Sequence, residues 1–119
     1  MNDEAGGEKT SAALPRVSIC TAVFNQSEWL KETIASVVAQ TFKDWEHLVV
    51  DDGSTEDIKA VVDSFNDPRI QYFRFPENRG IPFGGNFALK RARGDFVGLL
   101  AADETICPHK LEQQIEYLD

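Results

Sequence analysis

The sequence alternates short, strongly apolar segments with segments whose apolar residues recur at helical spacing. The apolar segments are typical of strands buried on both faces, as in a parallel or mostly parallel sheet. We predict the order βαβαβαβα, with strands near 16–24, 46–50, 70–75 and 95–100 and helices near 27–40, 54–66, 84–93 and 108–118. Short connections between such elements favour an α/β/α sandwich with a mostly parallel sheet.

Local signals predict where several elements begin and end. Ser54 and Asp57 have the spacing of a capping box at the start of the second helix. Gly94 follows the third helix in the position of a C-terminal cap, and Pro108 falls in the first turn of the last helix. The segment 95–100 is apolar enough to be a buried fourth strand.

Length and charge narrow the class of protein. The chain has 119 residues and 42% hydrophobic content, enough for one compact domain. It carries 12 basic against 20 acidic side chains, a formal charge of −8. We therefore expect no nucleic-acid partner and no attraction to anionic lipid by bulk charge. A phosphorylated ligand would need backbone amides, a few arginines or a divalent cation.

The N-terminal residues 1–14 are polar and rich in small residues, and they predict a disordered leader before a domain at 15–119. They lack a signal pattern, and no run approaches about 18 apolar residues. We expect a cytoplasmic protein. Cys20 and Cys107 have no metal-site spacing and predict buried or half-buried reduced thiols.

Three polar clusters follow predicted strands, and parallel sheets bind ligands at the carboxyl ends of their strands. The clusters are Asn25-Gln26, Asp51-Asp52 and Asp103-Glu104. Their oxygen-rich chemistry, without a His/Cys ligand set, suits Mg²⁺ or Mn²⁺. Two simpler interpretations remain open: the aspartate pair caps the second helix, and Asp103 and Glu104 are solvated residues before the last one.

Other sequence motifs give little support to other classes of site. The segment GIPFGG at 80–85 lacks both GxGxxG after the first strand and the GK[ST] of a phosphate-binding loop. His47 and His109 have no nucleophile at a recognisable spacing, and Ser54 and Thr55 fit caps better than nucleophiles. A phosphoacceptor receiver domain needs acidic residues after its first strand, where this chain has Asn25.

The segment VSICTAVFNQSEWLKETIASVVAQTFKDWEHLVVDDGSTED resembles the opening of a family 2 glycosyltransferase with the GT-A fold. The family has a strand ending in Tyr-Asn or a similar pair, a helix ending S-V-L-x-Q-T and a strand ending V-D-D-G-S-T-D. The likeness continues through ENRG to the C-terminus. It implies a GT-A-like, Rossmann-like sandwich that is truncated after the metal-motif strand and the helix that follows.

The resemblance also implies a function. It points to the donor-binding part of an enzyme that transfers sugar from a UDP-, GDP- or dTDP-sugar to a glycan or lipid-linked acceptor. Inversion and dependence on Mn²⁺ or Mg²⁺ are expected from the family. The catalytic base would lie beyond Asp119, so we expect this chain alone to be inactive. Membrane association would come through the missing remainder, and the truncated sheet would expose an edge for self-association.

Residue by residue, the resemblance implies a base pocket of Ala22, Phe24 and Asp52, with Asp51 supporting the turn or reaching the ribose. The family's Asp-x-Asp motif falls on residues 101–103, so that Asp103 would be the metal ligand. The residues expected to contact the donor are Ala22, Phe24, Asn25, Asp51, Asp52, Arg79, Asn86, Ala102 and Asp103.

Two departures from the family pattern matter. Ala101 stands where many members have the first Asp of the motif, and Gly85 stands where they often have Arg. The first change predicts weaker metal binding or a different donor, and Arg79 is expected to replace part of the second contact. The alternative function is therefore a non-catalytic GT-A-like remnant that acts as a binding or interaction module.

Overall fold

A computed structural model describes residues 14–118. The predicted leader lies outside the described residues except for Leu14, which is exposed. Four strands and four helices alternate along the described chain: β1 Val17–Val23, α1 Ser27–Val38, β2 Trp45–Asp52, α2 Ile58–Ser64, β3 Ile70–Phe75, α3 Ile81–Arg91, β4 Phe96–Leu99 and α4 Lys110–Leu118. The predicted element order is confirmed.

All strand pairs are parallel, and the sheet order is β3-β2-β1-β4. Val23 is level with Asp51, so β1 and β2 end at the same edge of the sheet. The chain moves from β1 outward to β3 and then returns to the other side of β1 through α3. The strand order therefore reverses between β1 and β4, and ligands of open α/β sheets bind in the crevice at such a point.

Helices cover both faces of the sheet, as predicted. One face carries a core cluster in which strand residues such as Val49 pack with apolar side chains of α1, α2 and α4. The helix residues of that cluster are Leu30, Ile34, Val37, Ile58, Val62, Leu111 and Ile115. On the opposite face α3 contributes Ala88 to a smaller cluster with Cys20, Leu48 and Val50. The architecture is an α/β/α sandwich.

A buried ion pair stabilises the end of the sheet opposite to the polar clusters. Glu46 is 2% exposed, and its Oε1 lies 2.9 Å from Nη2 of Arg93. Its Oε2 accepts hydrogen bonds from the Ser18 hydroxyl and the Arg93 backbone N–H. A buried charge without partners costs several kcal/mol. These partners therefore explain why β2 can carry a buried glutamate near its start.

Gly94 is not the C-terminal cap that its position suggested. The cap of α3 is Ala92 in an extended conformation, and positive φ occurs at Gly53 and Gly80 instead. A Cβ on Gly94 would lie 2.7 Å from the Ser18 backbone nitrogen. Glycine is needed there because the chain passes close to β1.

Other predictions of element ends also need correction. Asp57 caps α2 through Oδ1, which accepts from the Ala60 N–H, whereas Ser54 takes part in the loop before it. The third helix begins at Ile81, three residues early, with Pro82 in its first turn. The last helix begins at Lys110, after Pro108.

The fourth strand was predicted to be buried, and this is wrong. It forms the edge of the described sheet, where Val97 is 44% exposed and Leu99 is 67% exposed. Cys20 is buried as predicted, whereas Cys107 is exposed. Within residues 14–118, no helix combines the length and the apolar content needed to cross a bilayer.

Candidate functional site

A crevice of about 530 Å³ lies where the strand order reverses. Its walls come from the end of β1, the first turns of α3 and the segment after β4. Four of the predicted donor residues line it: Ala22, Asn86, Ala102 and Asp103. The other polar side chains on its walls are Gln26 and Glu104.

Close packing sets the walls of this crevice. A Cβ on Gly84 would lie 3.0 Å from the Cβ of Ala22, so glycine allows α3 to approach β1 closely. On the other side, the Thr33 hydroxyl of α1 donates to the Ala102 carbonyl at 2.8 Å. This bond fixes the segment that carries Asp103 against the first turns of α1.

Asp103 is exposed at the crevice, whereas the carboxylate of the neighbouring Glu104 already accepts a hydrogen bond. Oε1 of Glu104 accepts from the Ala101 backbone N–H at 2.8 Å. Among the described residues, no group of three His, Cys, Asp or Glu side chains is arranged to hold a metal ion. One free carboxylate fits a Mg²⁺-type cation whose other ligands are waters and substrate phosphates, but it does not form an all-protein cage.

Asp52 is fully buried and holds a loop. Its Oδ1 accepts from the Arg79 N–H at 2.8 Å, and its Oδ2 accepts from the Gly80 N–H at 2.9 Å. Gly80 has φ 98° and precedes α3, whose residues Ile81 and Pro82 line the crevice. The carboxylate thus positions the start of a crevice wall.

Asp51 is also fully buried, in a cluster at the ends of β2 and β3. Its Oδ2 accepts from the Tyr72 hydroxyl at 2.6 Å and from Nη1 of Arg74 at 2.8 Å, and its Oδ1 accepts from the Ser54 N–H. Burial acts to raise the pKa of Asp51, but these hydrogen bonds outweigh it and lower the pKa. Burial, together with Asp51, raises the pKa of Tyr72 to about 12.

Asn25 connects two loops at the same edge of the sheet. Its Oδ1 accepts from the backbone N–H groups of Thr55 and Glu56, and its own N–H donates to the Ser54 hydroxyl. The residue has φ 58°, a left-handed conformation that asparagine tolerates better than most residues.

The structure therefore divides the predicted donor residues into two groups. Four line the crevice, as given above. The other five are absent from its lining: Phe24, Asn25, Asp51, Asp52 and Arg79. Phe24 is 39% exposed, and the guanidinium of Arg79 lies 5.2 Å from the centre of the Phe83 ring. Sequence reasoning placed Gln26 in the Asn25-Gln26 cluster but did not include it among the residues expected to contact the donor.

The chain belongs to a family of sugar-transferring enzymes: the model of "Glycosyl transferase family 2" matches residues 18–119. Two relatives illustrate the match. The putative teichuronic acid biosynthesis glycosyltransferase TuaG of Bacillus subtilis is 34% identical over 87% of this chain and 42% of its own length. The Escherichia coli glucosyltransferase WfgD, named for transfer from UDP-Glc to GlcNAc-diphosphoundecaprenol, is 35% identical over 86% of this chain and 40% of its own length.

Solved structures have the same fold. TarS of S. aureus (residues 1–349) in complex with UDP-GlcNAc superposes with a TM-score of 0.84 at 27% identity, over 87% of this chain and 31% of that one. The mannosyltransferase PcManGT of Pyrobaculum calidifontis, in complex with GDP-Man and Mn²⁺, gives 0.70 at 25% identity, over 79% and 29%. The predicted GT-A-like fold is confirmed. The chain spans 15% to 43% of the length of curated relatives that it matches.

Proposed function

We propose that the crevice binds a nucleotide diphosphate sugar. The observation that supports this most directly is that Ala22, Asn86 and Asp103, from three separate segments, line one cavity where the strand order reverses. Relatives in the same fold bind UDP, UDP-GlcNAc and GDP-Man, which supports the same class of ligand here.

The base-binding part of the proposal rests on Ala22, Phe24 and Asp52. Ala22 leaves space beside the end of β1, and Phe24 offers a partly exposed ring for stacking. Because Asp52 is buried and both its oxygens are engaged by backbone N–H groups, its contribution includes holding the wall formed by the start of α3. Asn25, Asp51 and Arg79 complete the proposed surroundings of the nucleotide.

The proposal includes a divalent cation, Mn²⁺ or Mg²⁺, held by Asp103. When bound, such a cation neutralises charge on a departing diphosphate. The other residues of the segment have different tasks: Ala102 is fixed by Thr33, and Glu104 closes the turn through the Ala101 N–H. The presence of Mn²⁺ with GDP-Man in PcManGT supports the cation.

Transfer itself is proposed for a longer protein that contains this chain. The names of the relatives support transfer of a sugar to a glycan or a lipid-linked acceptor. We expect inversion at the sugar, with a general base outside residues 1–119, and hence no turnover by the chain alone. A cytoplasmic location is part of the same proposal, and cell fractionation tests it.

Calorimetry with the purified chain tests donor binding. UDP-GlcNAc, GDP-mannose and a dTDP-sugar are titrated in Mn²⁺, in Mg²⁺ and in EDTA. We expect one donor to bind, and to bind more tightly with a cation. Asp103→Asn tests the proposed metal ligand. Its matched control is Asp63→Asn, because Asp63 is an exposed carboxylate on α2 that pairs with Lys59. A folded sample that binds no donor under any condition contradicts the proposal.

The second candidate is a non-catalytic binding module. Ala101 in the metal motif favours it, because the segment retains one free carboxylate, Asp103. The two functions differ in the longer protein: a remnant binds its ligand without transferring sugar to any acceptor. Detection of a glycosylated product from the longer protein contradicts the hypothesis of a non-catalytic remnant.

We also propose that a second copy of the chain pairs with the exposed edge of β4. Val97 and Leu99 of β4 are exposed, and a groove of about 770 Å³, which Val97 helps to line, lies between β4 and α4. Two copies related by a two-fold axis would pair β4 antiparallel with itself. Sedimentation should show a dimer that Leu99→Lys abolishes and that Trp29→Lys, at an exposed site on α1, leaves intact. A monomer at all concentrations contradicts this.

A further inference from the structure

We propose that Gln26 recognises the donor: its side-chain amide hydrogen-bonds a hydroxyl of the sugar nucleotide in the crevice. The inference rests on the proposed function and adds to it a residue and the group that this residue binds. It is carried by the backbone conformation of Gln26, by its missing capping bond and by its position on the crevice wall.

The backbone of Gln26 is in the left-handed region, with φ 60° and ψ 34°. Asn25 before it has φ 58°, so two consecutive residues other than glycine adopt this costly conformation. The neighbouring loop enforces it. Asn25 is bonded to Ser54 and Thr55, and the Ser27 N–H donates to Oε1 of Glu56.

Gln26 occupies the N-cap of α1 without acting as a cap. An N-cap side chain normally accepts from the second or third N–H of the helix, but Gln26 makes no such bond. Its backbone carbonyl accepts from the Leu30 N–H at 2.9 Å, so the helix begins normally. Glycine would adopt this backbone at lower cost and would also serve at an N-cap, so folding alone does not explain glutamine here.

Gln26 is exposed and lines the crevice together with Asn86 and Asp103. A carboxamide both donates and accepts, as a hydroxyl does, and it carries no charge. It therefore suits a ribose or sugar hydroxyl better than a diphosphate, which favours cations. Because Thr33 bonds the Ala102 carbonyl, α1 holds Gln26 on the side of the crevice that carries Asp103.

The test replaces Gln26 by glycine, which removes the carboxamide and keeps the conformation. The matched control is Asn66→Gly, the same kind of change at another left-handed residue, φ 49°, after α2. Calorimetry with UDP, UDP-GlcNAc, GDP and GDP-mannose should show donor affinity about tenfold weaker for Gln26→Gly and unchanged for Asn66→Gly. Melting temperature should not fall in Gln26→Gly.

The comparison of free nucleotides with nucleotide sugars shows which hydroxyl Gln26 binds. Loss of affinity for the nucleotide sugar alone indicates a sugar hydroxyl, and equal loss for the free nucleotide indicates the ribose. Unchanged affinity in a folded Gln26→Gly variant overturns the inference and leaves the proposed function standing. If the unmutated chain binds no donor, both fail. Gln26→Asn, which also tolerates the conformation, gives the same comparison with a shorter amide if the glycine variant does not fold.

Discussion

The Asp52 carboxylate accepts a hydrogen bond from the Gly80 backbone N–H at 2.9 Å, which joins the last residue of β2 to the residue before α3. The two residues are 28 positions apart, and Asp52 is fully buried. The next residues, Ile81 and Pro82, line the crevice. The family resemblance assigns Asp52 to the pocket for the nucleotide base. The structure shows that Asp52 also positions the start of α3, which forms one wall of the crevice.

Asp52→Ala should reduce both stability and nucleotide binding. Two backbone N–H groups lose their acceptor, which should lower the free energy of unfolding by about 1–3 kcal/mol. Nucleotide affinity should fall in EDTA as well as in Mn²⁺, because the loop position does not depend on a cation. Urea denaturation and calorimetry measure the two effects. A change in stability with unaltered nucleotide affinity would reduce Asp52 to a structural role.

Tyr72→Phe should destabilise the fold, because the buried Asp51 carboxylate loses the donor that lies 2.6 Å away. Loss of a hydrogen bond to a charged group should lower the free energy of unfolding by about 1–2 kcal/mol near neutral pH. Tyr117→Phe is the control: Tyr117 is 89% exposed, and its change should stay within about 0.5 kcal/mol.

Acid should reduce the difference between the wild type and Tyr72→Phe. The pKa of Asp51 is lowered from 3.8 in the folded state, so the stability that it contributes is present above pH 3.8 and is lost as pH falls through the folded pKa. Equal stabilities of the two proteins at neutral pH would contradict this description of the Asp51 cluster.

Asp103→Asn should weaken donor binding in Mn²⁺ by about tenfold and leave binding in EDTA unchanged. The reason is that an amide oxygen is a poorer ligand than a carboxylate for a hard cation. Asp63→Asn controls for the loss of one negative charge at an exposed site. Donor affinity in Mn²⁺ that is equal in all three proteins would remove Asp103 from the proposed metal site.

Buried His47 should make stability depend on pH. Its Nε2 lies 2.8 Å from Oγ1 of Thr21, and burial lowers the pKa of His47 from 6.5 to about 4. Between these values the unfolded chain binds a proton that the folded chain excludes. The stability that neutral His47 contributes is therefore fully present well above pH 6.5 and is lost as pH decreases towards 4, by about 2 kcal/mol between about pH 7.5 and about pH 5.

Chemical denaturation across this pH range tests the His47 prediction. His47→Gln should have a flatter profile, because it lacks the titrating group. His109→Gln removes an exposed imidazole, 63% accessible, and should keep the wild-type profile. A wild-type profile that is already flat between about pH 5 and about pH 7 would contradict the buried neutral imidazole.

Much of the fold is readable from the sequence because periodicity is a local signal. The apolar runs around Ile19 and Val49 predict strands covered on both faces, and the structure confirms this for β1 and β2. The fourth strand has the same composition but lies at the edge, since burial depends on what packs beside a strand. Gly94 shows the same limit: its signal is that of a helix cap, but a close contact with β1 explains it.

The sequence by itself determined the order of strands and helices and the polar clusters that follow the strands, since both depend on residues near in the chain. Only the tertiary structure decided how each polar residue is used. Asp51 and Asp52 are adjacent in sequence, but partners 21 to 28 residues away bind them in separate hydrogen-bonded clusters. Gln26 and Asp103, far apart in the chain, line one crevice because strands β1 and β4 lie side by side.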